Sequence, residues 1–239
     1  MKYQRPIGVK ALLMKKNLIT IGIIISGVLS IIMALLTYYG SYSGNFIVIV
    51  DSEDRIRSIV LSETEDFENA SPRLFADSVN DTSPLAFIDI NLRDAVAAEG
   101  NYIDPDFKYF SYSFYITNNG NQVVDLETRY LITESLRNID DAIRVIVVKD
   151  EDIQNLSIFK KEDKVSHVYD PMIPEAKIFY DEDKGVVFSE LVEDFKPGDK
   201  IKYTIIAYVE GDDPDSTDAL QGGRIRMTLR FNIILPEED

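Results

Sequence analysis

The sequence predicts an all-β protein: an antiparallel two-sheet sandwich with jelly-roll or Greek-key connections, preceded by one N-terminal transmembrane helix. Three observations predict it. The uncharged stretch from Leu18 to Tyr39 is long enough to span a bilayer. Most of the remaining chain falls into short runs of alternating apolar and polar residues, separated by Gly, Pro, Asn and Asp. No long amphipathic helix and no internal repeat interrupts that pattern. The chain therefore divides into a basic cytoplasmic tail (1–17), a membrane segment (18–39) and an extracellular β-sandwich domain (40–239).

The membrane segment has no charge and no proline in 22 positions. At about 1.5 Å per residue it makes a helix of roughly 33 Å, against a hydrocarbon core of about 30 Å. Lys2, Arg5, Lys10, Lys15 and Lys16 precede it with no acid among them. The other 20 basic residues share the body with all 41 acidic residues, a net charge of −21. Positive charge stays on the cytoplasmic side, so the head is expected inside and the body outside. Two fates are open: an uncleaved single-pass anchor in the cell membrane, or a signal segment cut near Ser43 that releases the body with Gly44 at its start. The acidic body argues against nucleic acid as a partner and against lying flat on anionic lipid. The chain has no cysteine, which removes disulfides, thiolate nucleophiles and cysteine-ligated zinc.

After a flexible exit at Gly40 to Gly44, Asn45 to Val50 (NFIVIV) is strongly β-forming and apolar on both faces. It is either a buried strand of the same domain or a strand that completes a neighbouring molecule. Arg55 to Ser62 reads as a strand, Glu63 to Pro72 as an acidic loop and Ala86 to Ile90 as a short strand. Asn91 to Gly100 reads as a short helix capped by Asn91. Tyr109 to Thr117 alternates, with Phe110, Tyr112, Phe114 and Ile116 on one face. Asn118-Asn119-Gly120-Asn121 supplies a hairpin turn into a return strand, Gln122 to Ile132. Ile143 to Val148, Leu156 to Lys160, Ala176 to Tyr180 and Val186 to Ser189 are further strands, with Val165 to Pro174 a loop. Lys196-Pro197-Gly198-Asp199 turns into Ile201 to Glu210, and the final strand alternates Ile225, Met227, Leu229, Phe231 and Ile233 with arginines and polar residues.

Catalytic patterns are sparse. The single histidine, His167, has no partner imidazole at zinc spacing and no GxSxG nucleophile to serve. Phosphate-cradling glycine motifs are missing: Gly222-Gly223 opens a strand rather than a helix. The densest polar constellation is Glu210, Asp212, Asp213, Asp215 and Asp218, where Gly211 and Pro214 bend the chain. Those carboxylates suit a hard cation such as calcium, or form a solvated acidic loop; the spacing is not that of an EF-hand.

Several stretches carry a resemblance. Tyr109 to Asn118 (YFSYSFYITN), Asp140-Asp141-Ala142-Ile143-Arg144-Val145, Lys202-Tyr203-Thr204, Glu210 to Pro214 and Gly222-Gly223 resemble single-span exported proteins of Gram-positive bacteria. More distantly the chain is similar to the TasA/camelysin family of fibre-forming surface proteins. That resemblance implies a jelly-roll subunit, a surface location and subunits joined by donated N-terminal strands. Two departures stand out: the anchor here need not be cleaved, and residues 44–84 do not clearly match that family's mature N-terminus. Camelysin's metalloprotease role finds no zinc motif to carry it.

The expected function is accordingly a non-enzymatic, membrane-anchored or secreted surface protein acting by protein contact, with no required cofactor, and with self-association through Asn45–Val50 and membrane attachment through Leu18–Tyr39. The alternative is a cation-dependent module that binds a glycan or peptide through the acidic loop. A hydrolase using two carboxylates is the third expectation.

Overall fold

A computed structural model describes residues 20–34, 46–51, 59–80, 82–169, 171 and 173–234. The chain forms two compact units, residues 1–43 and 44–239. In the first unit, residues 20–34 form a helix, α1, every residue of which is exposed. No helix among the described residues is long and apolar enough to cross a membrane, and both ends of the expected Leu18–Tyr39 span lie outside the described residues.

The second unit is built from twelve described strands: β1 (Phe46–Val50), β2 (Ile59–Ser62), β3 (Arg73–Ala76), β4 (Gly100–Asn101), β5 (Phe110–Asn118), β6 (Val124–Leu136), β7 (Ile143–Lys149), β8 (Ser157–Lys160), β9 (Ala176–Ile178), β10 (Val186–Phe195), β11 (Lys200–Val209) and β12 (Arg224–Ile234). One sheet has the order β10-β6-β12-β1-β3; the other has β2-β5-β11-β7-β8-β9, with β4 beside β5. Their inner faces meet in one apolar core, to which alternate residues of β5, β6, β11 and β12 contribute as the sequence periodicity predicts. Aromatic rings cross between the sheets: Phe46 lies 5.1 Å from Phe110, and Tyr203 lies 5.7 Å from Phe231.

The expected purely antiparallel arrangement is corrected. β1 runs parallel to β12, and β9 runs parallel to β8. The reason lies in the connections. Parallel neighbours need a return path longer than a tight turn. Fifteen residues separate Lys160 at the end of β8 from Ala176 at the start of β9, and β1 pairs with a strand from the opposite end of the sequence.

The expected hairpin after Asn118 is also corrected. The turn exists, but β5 belongs to the seven-stranded sheet and β6 to the five-stranded one, so the chain arches across the end of the sandwich. Asn118 explains the bend. Its Oδ1 accepts from the Gly120 N–H at 2.9 Å, and its Nδ2 donates to the carbonyls of Gln122 (2.9 Å) and Phe195 (2.8 Å). The side chain closes a local turn and ties it to the neighbouring β10–β11 crossing, leaving β5 to pair with β11 instead. Ala86 to Ile90, expected as a strand, holds a 3₁₀ turn at Phe87–Asp89. There the Asp89 carboxylate accepts the Ala86 N–H at 2.9 Å, a local bond that competes with strand pairing. β3 falls within a stretch where no strand is expected.

The outer face of the seven-stranded sheet is apolar too. Ile146, Val148, Ile158, Ile206 and Tyr208 form a second cluster beneath Leu85, Ile90, Ala95, Val96 and Tyr109. The cover includes a short helix, α2 (Leu92–Ala97), whose N-cap Asn91 accepts from the Asp94 N–H as its sequence implies. β5 is consequently buried on both faces, where alternation alone suggests one.

Candidate functional site

Where that outer apolar cluster ends, the same face turns charged. Arg144 on β7 is the register partner of Tyr208 on β11, and two residues further along β7 Ile146 pairs with Ile158 of β8. Lys160 ends β8, and Glu210 follows β11 directly. Arg144, Lys160 and Glu210 are all buried, at 3%, 7% and 2% exposure. Described residues of the β8–β9 connection, among them Asp163, His167, Tyr169 and Ile173, line a cavity of about 610 Å³ beside them, with Ile158, Ala176 and Tyr208 among its apolar surfaces.

Tyr169 is the hub of this region. Its hydroxyl accepts from Arg144 Nη2 at 2.9 Å and from Lys160 Nζ at 3.2 Å, and donates to Asp163 Oδ1 at 3.0 Å. Both cations also face its ring, the Arg144 guanidinium at 5.2 Å and Lys160 Nζ at 4.5 Å from the centroid. Burial pushes the Tyr169 phenol well above its ordinary range, against the pull of Arg144, so the group stays a neutral hydroxyl. Arg144 Nη2 pairs with Asp213 Oδ2 at 2.7 Å, and Lys160 pairs with Asp163.

The five carboxylates singled out from sequence are placed apart. Glu210 accepts the Tyr208 hydroxyl on Oε2 (3.1 Å) and the Asp212 N–H on Oε1 (3.2 Å). Burial, then the neighbouring Glu210 charge, raises the Tyr208 phenol, keeping it a donor. Asp213 turns inward to Arg144 and caps the Asp215 N–H at 2.8 Å. Asp212 is exposed and reaches His167 at 3.2 Å, Asp215 accepts the Lys164 N–H at 3.1 Å, and Asp218 is exposed at the start of a separate 3₁₀ turn. Among the described residues no group of three or more His, Asp or Glu is arranged to hold a metal ion.

Sequence reasoning missed Arg144, Lys160 and Tyr169. Arg144 and Lys160 sit at outward positions of β strands, where a cation ordinarily signals solvent. The one available signal was that β7 is otherwise a continuous apolar run, as a strand covered on both faces would be. Asn45–Val50, the expected self-association segment, is placed in its own sheet from Phe46 onward, with Phe46, Val48 and Val50 in the core; Asn45 lies outside the described residues. Compared with protein families, curated proteins and solved structures, the chain matches none.

Proposed function

We propose that the chain is a non-enzymatic surface protein, held in the cell membrane by its N-terminal helix or released from it, that acts through protein contacts. Its β body, connected in jelly-roll or Greek-key fashion, assembles by exchange of β1, as in the TasA/camelysin fibres it resembles. The observation that carries this reading is the position of β1. It is an interior strand, between β12 and β3, yet it stands at the N-terminal border of the body. Donating it to a neighbour reproduces every contact in trans, so exchange costs little beyond reopening the link. The apolar helix α1 supports the membrane location. Ile23, Ile25 and Ile31 of this helix are more than 60% exposed.

A cysteine pair tests the assembly. Ile47 and Phe75 are partners across β1 and β3 on the outward face, and the chain has no other cysteine. In the Ile47→Cys/Phe75→Cys variant, exchange yields a ladder of disulfide-linked multimers on a non-reducing gel and fibres in the electron microscope. Linked monomers at every concentration would end the assembly reading. Protease added to intact cells tests the location: residues 100–239 should be digested while cytoplasmic markers survive. The alternative is a calcium-dependent glycan- or peptide-binding module that uses the acidic loop; a rise in unfolding temperature with calcium would support it.

A further inference from the structure

The cavity lined by Arg144, Lys160 and Glu210 contains a charge imbalance. Arg144 is neutralised by Asp213 and Lys160 by Asp163. Glu210 has no such partner: its oxygens accept one hydroxyl and one backbone N–H, and no cation among the described residues lies within ion-pair distance. A buried carboxylate at 2% exposure thus lacks a counter-ion, and a cation entering the cavity beside it would supply one.

We propose that this cavity binds a primary ammonium on an alkyl stem, the chemistry shared by a lysine side chain and a polyamine end, with Glu210 as its counter-ion. Each Glu210 oxygen already holds one hydrogen, which leaves a further lone-pair direction on each. An ammonium needs one to three acceptors, whereas calcium needs six to eight oxygens. Ile158, Ala176 and Ile173 supply apolar surface for the methylene stem. An anion is disfavoured, because both buried cations are already paired and Asp163, Glu175 and Glu210 line the cavity it would enter. The net charge of the body draws cations towards it. The site lies wholly within the β body and needs neither strand exchange nor a membrane location, so it stands or falls separately from the assembly reading.

Calorimetric titration of the full chain tests it, with Nα-acetyl-lysine N-methylamide, its neutral isostere the N-methylamide of Nα-acetyl-2-aminoheptanoic acid, and cadaverine. The expected result is saturable binding of the lysine derivative, weaker by about tenfold or more for the isostere. Glu210→Gln keeps the hydroxyl acceptor but loses the charge, and should weaken the lysine derivative by a similar factor. Glu193→Gln, at an exposed acid on β10, should leave it unchanged. Binding of both amines indicates a general alkylammonium site, and binding of the lysine derivative alone indicates a peptide side chain; either agrees with the proposal. Equal binding of the lysine derivative and its neutral isostere, equal losses in the two variants, or no saturable binding of either amine would overturn it. The isostere comparison is made on the unmodified chain and so does not depend on the variants folding.

Discussion

Arg144 and Asp213 form an ion pair at 2.7 Å whose side chains are 4% and 0% exposed. One stands on a strand of the sheet and the other on the loop that follows β11, so the pair fastens the acidic loop to the outer face. Removing two charges from water costs several kcal/mol per ion, and the mutual attraction roughly repays it only while both partners remain.

The pair should therefore behave asymmetrically. Asp213→Ala, which strands the guanidinium, is expected to cost about 3–5 kcal/mol in urea unfolding. The double variant Arg144→Met/Asp213→Leu should recover most of that loss, keeping a deficit of about 1 kcal/mol for the uncapped Asp215 N–H. A double variant no better than the single would show that the pair holds the fold in more than a local way.

Asn118 has a comparable burden with no charge. Its Nδ2 serves two carbonyls from two separate crossings, and the residue is 1% exposed. Asn118→Asp keeps the shape and loses both donations. It should destabilise by about 1–3 kcal/mol or more at neutral pH, because two carbonyls lose their donor to a charged acceptor. Equilibrium denaturation read by tyrosine fluorescence measures this.

Gly185 holds the turn between β9 and β10 against β6. Its φ is +66°, and a Cβ there would lie 2.5 Å from the Ile132 carbonyl oxygen. The same contact includes a hydrogen bond from the Ile132 N–H to the Gly185 carbonyl at 2.8 Å. Gly185→Ala should cost at least the about 1–3 kcal/mol of a strained backbone site, whereas Gly198→Ala, with φ +88° but open space around it, should cost less. Thermal unfolding of the two variants side by side decides the order.

Asp140 and Lys161 give the body a defined pH response. Burial alone would raise the Asp140 carboxyl, but the Lys161 ammonium and the Ser135 hydroxyl outweigh it and hold the group below its ordinary 3.8. Burial likewise disfavours the Lys161 ammonium, but Asp140 outweighs it and raises the group above 10.5. A depressed carboxyl contributes stability that is present above its unfolded value and is lost as pH falls through the folded one. A raised lysine contributes stability that is complete below its unfolded value and is lost as pH rises through the folded one. The stability gap between the unmodified protein and Asp140→Asn should therefore be widest between these limits and narrow below about pH 4. Urea midpoints across pH 2–7 test the acid limb; a gap that is constant with pH would remove the linkage.

Much of the strand inventory could be read from local pattern. Phe110, Tyr112, Phe114 and Ile116 on β5, and Met227, Leu229 and Phe231 on β12, face the core as their alternation implies, because a strand's side chains have a period of two whatever the strand pairs with. The Asn91 cap could be read for the same reason, since its bond spans only three residues. Ala86 to Ile90 misled because a five-residue apolar run carries no period long enough to separate a strand from a turn.

The amino-acid sequence by itself determined the β character of the body, the apolar face of each long strand, the uncharged N-terminal stretch and the concentration of acid between Glu210 and Asp218. Only the tertiary structure decided which strands pair, that β1 and β9 run parallel to their neighbours, and that Asn118 turns the chain across the sandwich instead of back along it. It also decided that Asp213 joins a buried network with Arg144 and Tyr169 and that Glu210 is buried against the Tyr208 hydroxyl, while Asp212 and Asp218 stay outside. The physical reason is range: periodicity and caps act within a few residues, whereas pairing, burial of charge and the choice of counter-ion depend on groups brought together from distant parts of the chain.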